Sequence, residues 1–393
     1  MTIRICGDKW MEYTKIKNIN EYVSESINPM KTPDTVFEMY SVPIYETGHP
    51  EYLRGSEIAS NKTIVRKNDV LLCKINPRIN RVWVVGDESQ YQNIASSEWI
   101  VIRTSEYNPE FLAWYFRNPK FQKLMMSEVT GIGGSLTRAQ PKAVAEYPVP
   151  VLPRLEQDAI AEVLNRVNDM INGRKRELQI LDDLVKARFV ELFGDPVTNP
   201  KGWKTKHLLD MGYCKNGMNF HAGDSGMEVN CLGVGDFQNL SVMDGTAHLP
   251  VISLNEAPPE ESMLRDGDIV FVRSNGNKAL VGRCLVVYPR NTPTTYSGFC
   301  IRYRLTSNEV DTTYLLRVLK TDSIRRKMAG RGANIQNLNQ QILAALDIPL
   351  PPIEQQQQFA AFVEQTDKSK EAIQKALDEA QLLFDSLMQK YFG

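Results

Sequence analysis

Two stretches of this 393-residue chain set cations and carboxamides side by side. The first is Lys74-Ile75-Asn76-Pro77-Arg78-Ile79-Asn80-Arg81 and the second is Arg273-Ser274-Asn275-Gly276-Asn277-Lys278. A carboxamide side chain meets adenine through two hydrogen bonds, and a cation donates to guanine. A glycine-bearing loop follows in each half of the chain. Gly131 to Arg138 offers Gly133, Ser135 and Arg138, while Gly330 to Asn337 offers Arg331, Asn334 and Gln336. Arg283 lies between the two loops of the second half. The chemistry expected of these residues is contact with DNA. The same residue types also suit a solvated hairpin.

Motifs for covalent chemistry are mostly missing. Asn-Pro occurs at 28, 76, 108, 118 and 199, never with the second proline and aromatic that amino-methyltransferases use on a flipped base. Gly233-Val234-Gly235-Asp236-Phe237 lacks the third glycine of a dinucleotide fingerprint, and there is no GxxxxGK[ST] phosphate loop. Pro33-Asp34 has no following acid-x-Lys, which leaves a metal nuclease centre unsupported. His49, His207, His221 and His248 have no metal-ligand spacing, so no metal site is expected. Six cysteines without a CxxC pair fit a reducing cytosol. Charges at Arg4, Asp8, Lys9 and Glu12 argue against a signal peptide, and no apolar run reaches membrane-spanning length. A cytoplasmic chain is expected.

The elements that must position the loops come in two sets. Val70 to Cys73, Arg81 to Val85 and Glu98 to Ile102 read as strands, and Phe111 to Met126 reads as one helix. Asp69-Val70-Leu71-Leu72 matches Asp268-Ile269-Val270-Phe271 at an offset of 199. Val149-Pro150 likewise matches Ile348-Pro349, and Tyr314 to Lys327 resembles the helix after Phe111. Framework positions match while the presumed contact loops diverge, as in two related folds with different targets.

Each half is followed by a long amphipathic helix. Pro153-Arg154-Leu155-Glu156-Gln157 leads the first and Pro351-Pro352-Ile353-Glu354-Gln355 leads the second. Phe193-Gly194 closes one and Phe392-Gly393 the other. Apolar residues at steps of three and four give a seam of Leu164, Ile171, Leu178, Leu181 and Val185, facing Ile373, Leu377, Phe384 and Leu387. Forty residues make a rod on the order of 60 Å long, which needs a partner for its stripe. The predicted architecture is α+β: two mixed α/β domains, 1–152 and 195–350, separated by helices 153–194 and 351–393. The two helices pair as a coiled coil through these seams, in a pseudo-twofold internal repeat.

The net charge of −1 hides an uneven distribution. Residues 265–331 hold 13 basic against 5 acidic side chains, and residues 66–138 hold 10 against 7. Such clusters are what a phosphate-contacting face needs, although a solvated surface can also carry them.

Two variable halves alternating with two similar helices, and the junction Phe193-Gly194-Asp195-Pro196-Val197-Thr198-Asn199-Pro200-Lys201-Gly202-Trp203, resemble the specificity (S) subunit of type I restriction–modification systems. The resemblance covers the whole chain. It implies a non-catalytic chain with two target recognition domains reading a split site on double-stranded DNA, and with the helices paired as an antiparallel coiled coil that serves as spacer and docking surface. It further implies a bacterial or archaeal cytoplasmic complex with two methyltransferase (M) subunits and restriction (R) subunits. S-adenosylmethionine, ATP and Mg would sit on those partners and none on this chain. Arg174, Lys175, Arg176 and Glu177 either face partners or are solvated. Two other classes stay open, a self-sufficient DNA-modifying enzyme and a coiled-coil scaffold that binds protein only.

Overall fold

The computed structural model describes residues 3–5, 9–87, 89–127, 129–130, 137–221, 223–237, 240–329 and 337–393. It divides into two compact units, Met1–Lys175 with Lys375–Gly393, and Arg176–Gln374. Both long helices form, as Arg154–Phe193 and Ile353–Phe392, 40 residues each. Pro153 and Pro352 stand just ahead of the first turns, where a proline lacks no needed N–H. Their carbonyls accept from the backbone of Gln157 and Gln356. Gly194 stops the first helix with φ +75°, donating its N–H to Val190 O at 2.8 Å.

In the first unit the two helices pack antiparallel. Ala161 and Leu164 share a core with Met388 and Phe392, and further along Val167 and Ile171 meet Ala380. Leu377, Phe384 and Leu387 pack half-buried against that second cluster. The second unit repeats the arrangement with the roles exchanged. Val185, Phe189 and Phe193 pack with Phe359 and Val363, and the Lys370 ammonium lies 2.6 Å from Asp182. Leu178, Leu181 and Ile373 of the expected seam are half-buried.

The first unit holds a five-stranded sheet in which Val36–Tyr40 runs parallel to Gln92–Ala95. A smaller sheet sets Val70–Cys73 between Val82–Val84 and Trp99–Ile102. In the second unit Asp268–Val272 lies between Cys284–Tyr288 and Cys300–Leu305 within a five-stranded sheet. The strand leading into each long helix is tied back to the opening of its half. Pro148–Val151 pairs with Lys9–Lys15, and Asp347–Leu350 with Lys204–His207.

The single helix expected after Phe111 is two helices, Pro109–Arg117 and Pro119–Ser127. Pro119 holds Asn118 out of the helical region, at ψ 139°. The second unit breaks at the same place, between Thr312–Lys320 and Asp322–Ala329, with Thr321 at ψ 146° and no proline.

Candidate nucleic-acid interface

In each unit the first candidate loop, beginning at Lys74 or Arg273, rises from a strand anchored by a buried aspartate in an ion pair. The turn before the strand uses a left-handed residue, Asn68 at φ +72° in one unit and Gly267 at φ +85° in the other. Asparagine and glycine are the residues that accept this conformation most readily. The next residue is an aspartate, Asp69 or Asp268, each 1% exposed. Asp69 accepts two hydrogen bonds from the Arg103 guanidinium (2.8 and 2.7 Å), and Asp268 accepts two from Arg304 at the same distances. Each carboxylate also caps its own turn, accepting from Arg66 N (2.8 Å) or Arg265 N (2.7 Å). The aspartate hydrogen bonds raise the pKa of Arg103 and Arg304 above the ordinary value.

At the far end of the strand the two candidate loops of a unit are joined. Lys74 N–H donates to Glu98 O (3.0 Å), and Lys74 O accepts from Ala139 N–H (2.9 Å). In the second unit Arg273 N–H donates to Phe299 O (2.8 Å), and Arg273 O accepts from Leu338 N–H (2.7 Å). The bridges Ile75↔Arg138 and Ser274↔Asn337 complete the match. Lys74 therefore corresponds to Arg273, Glu98 to Phe299, and Arg138 to Asn337.

The remaining candidates are placed as follows. Asn76 sits at φ +50°, half-buried, its N–H donating to Thr137 O (2.7 Å) and its Oδ1 buried without a hydrogen-bond partner. Arg78 is exposed. Asn80 turns toward the first short helix and donates to Phe116 O at 3.2 Å. Arg81 lies beside the buried Cys73 thiol, whose pKa burial raises. The Glu98 carboxylate holds the Arg138 guanidinium by two bonds of 3.1 Å and raises its pKa.

Arg273 donates to Gly298 O (3.3 Å), and Ser274 lies in the bridge with Asn337. Asn275 and Asn277 each accept a backbone N–H two residues on, from Asn277 (2.8 Å) and Ala279 (3.0 Å). Lys278 opens a short 3-10 turn, and Arg283 is half-buried beyond it. Ser274, Asn275 and Asn337 line a cavity of about 410 Å³ with the Phe299 ring, which is 60% exposed. Gly133, Ser135, Arg331, Asn334 and Gln336 lie outside the described residues.

Sequence reasoning passed over Glu98, Phe299 and Asn337 as candidates. The turn residues Ser297-Gly298 before Phe299 are visible in the sequence, whereas the exposure of its ring is not. The charge surplus of 265–331 also does not form a single face. Arg302 is fully buried, Arg304 is bound to Asp268, and burial lowers the pKa of both Arg317 and Lys320. These cations are internal struts. Among the described residues there is no cluster of three or more His, Cys, Asp or Glu suited to a metal, and no helix is long and apolar enough to cross a membrane.

A duplicated unit of sheet, paired loops and shared long helix defines the fold of a type I restriction–modification specificity subunit. The solved S subunit of M. genitalium aligns with 100% of this chain and 98% of its own at a TM-score of 0.61 and 12% identity. A chain from the type I R-M system studied for complex assembly and conformational transition aligns over 97% of both at a TM-score of 0.56 and 19% identity. Residues 200–381 match the family described as type I restriction modification DNA specificity domain. The chain is 25% identical to the StySPI specificity subunit of Salmonella potsdam, over 72% of this chain and 63% of that protein's length. It is 21% identical to the MjaVIII specificity subunit of Methanocaldococcus jannaschii, over 83% of this chain and 81% of that one. In sequence and in fold the chain is thus similar to type I restriction–modification specificity subunits.

Proposed function

We propose that this chain is the sequence-reading, non-catalytic subunit of a type I complex, each unit reading one part of a split double-stranded DNA site. The observation that carries this reading is the paired-loop arrangement, built twice on matching backbone hydrogen bonds with different side chains at the equivalent positions. A scaffold or an enzyme needs no such pairing of a constant frame with variable tips. Two methyltransferase subunits dock on the long helices, and restriction subunits join them. Exposed apolar residues along the first helix, among them Val163, Met170, Ile180 and Leu184, and Leu382 and Leu383 on the second, suit such docking. Lys175 and Arg176 are exposed beside them. S-adenosylmethionine, ATP and Mg belong to those partners.

The test compares methylomes of cells with and without the gene. A bipartite adenine-methylation motif that disappears with the gene is expected. The purified chain alone should bind DNA with a steep salt dependence and transfer no methyl group. Methyl transfer by the isolated chain, or salt-insensitive retention on DNA, overturns the reading.

A further inference from the structure

We infer that Arg138, held by Glu98, reads a guanine in one half-site, and that the equivalent pair Asn337 and Phe299 reads an A·T pair in the other. This rests on the DNA-reading role proposed above and assigns base identity to particular side chains.

The argument starts from equivalence. Residues 98 and 138 flank Lys74 through its N–H and the Ile75 bridge, as residues 299 and 337 flank Arg273. The same backbone seat thus carries two different pairs of side chains. A guanidinium has five N–H groups in a rigid fork. Glu98 takes one from Nε and one from Nη2, so the fork's orientation is fixed while the N–H groups on its far edge remain. That edge matches the O6 and N7 acceptors of guanine. Glu98 is a positioning residue here, and 42% exposure of the Arg138 side chain leaves the fork within reach of a ligand.

In the second seat the equivalent pair, Asn337 and Phe299, carries no charge. Asn337 is exposed and lines the same cavity as the Phe299 ring. A carboxamide pairs with adenine N6 and N7, and a phenyl ring makes apolar contact with the thymine methyl of the same pair. Phe299 is well placed for this because its carbonyl is tied to Arg273 N–H while its ring stays outside the core. An aromatic so exposed at the junction of two polar loops is expected at a binding surface.

The experiment uses the full chain in its methyltransferase complex, with methylome sequencing for Arg138→Ala, Arg138→Lys, Glu98→Gln, Asn337→Ala and Phe299→Leu. Arg138→Lys keeps the charge, and with it the fold, but loses the bidentate fork. It is expected to relax one G·C position of one half-site, roughly ten- to a hundredfold in preference, and to leave the other half-site intact. Glu98→Gln should relax that same position and no other. Asn337→Ala and Phe299→Leu should relax one A·T position of the opposite half-site. In a binding assay, replacing that thymine by deoxyuridine should weaken the unaltered complex and leave the Phe299→Leu complex unchanged.

A relaxed position of the wrong base class, or an unchanged motif in Arg138→Lys and Asn337→Ala, overturns the inference while leaving the DNA-reading role standing. Absence of any bipartite motif with the unaltered chain defeats that role itself.

Discussion

Lys74 and Arg273 occupy one backbone position in the two units, and both are cations of different shape. Exchanging Lys for Arg preserves charge and discards fork geometry, which suits a phosphate contact better than a base edge. Lys74→Ala and Arg273→Ala are each expected to weaken binding to all sequences alike and to lower the salt slope by about one. Affinity measured at several salt concentrations on cognate and scrambled DNA checks this. A loss confined to cognate DNA would move these residues to the base-reading set. Their neighbours show where sequence reading ends. Lys74 and Arg273 were legible because each closes an apolar strand and begins a polar loop. Glu98 and Phe299 were not, because their role arises from strand register across 24 to 26 residues of chain.

At the scale of elements, one buried glutamine at the start of each long helix has a mechanical meaning: Gln157 of the Glu156-Gln157 pair, and Gln356, one residue beyond the Glu354-Gln355 pair. Gln157 and Gln356 are 2% and 0% exposed. Gln157 accepts from Asn108 N (2.8 Å) and donates to Leu152 O (2.9 Å). Gln356 accepts from Asp311 N (2.9 Å) and donates to Pro351 O (2.8 Å) and Glu309 O (3.1 Å). Each glutamine thereby fastens a long helix to the capping residue of the short helix that follows the loop-bearing strands. The proline-led start was visible as a repeat, but its register was one residue off, because Gln157 corresponds to Gln356 and not to Gln355; the partners lie about 45 to 50 residues away, beyond any local pattern. Gln356→Ala should destabilise the second unit by about 1–3 kcal/mol, since buried backbone groups lose their partner. Asp268→Asn should cost more, about 3–5 kcal/mol, because it leaves the Arg304 charge uncompensated in the interior. Denaturant unfolding followed on each variant ranks the two, and equal stabilities would contradict the buried-pair account. The break at Thr321 was unreadable for the opposite reason. Asn118-Pro119 signals it in the first unit, whereas Thr321 relies on its tertiary setting.

For the whole molecule, the duplication was the most legible feature, because helical periodicity over forty residues and a repeated proline-led start survive divergence elsewhere. The proposal that the long helices set the distance between half-sites has a direct test. Gly173 lies within the first long helix, and a Cβ added there meets no atom within 4 Å. Four residues inserted beside it add about 6 Å and stay nearly in phase with the apolar stripe. The gap between half-sites is expected to grow by about one or two base pairs with both half-site sequences unchanged. An active insertion mutant with an unchanged gap removes the ruler role from these helices.

The Phe392 ring, in the core of the first unit 5.6 Å from Phe111 and 5.7 Å from Tyr115, bears on the order of events during synthesis. The second unit is one continuous stretch, Arg176–Gln374, whereas the first needs residues 375–393 to close its core. A nascent chain therefore completes the later-made unit first, while the earlier-made one waits with the surface around Phe111 and Leu164 uncovered. A chain stopped at residue 374 should keep a protease-resistant second unit and lose protection of the first. Phe392→Ala should produce a milder form of the same asymmetry, about 3–5 kcal/mol in the first unit alone. Limited proteolysis with mass mapping of the fragments distinguishes this order from folding in which both units lose protection together.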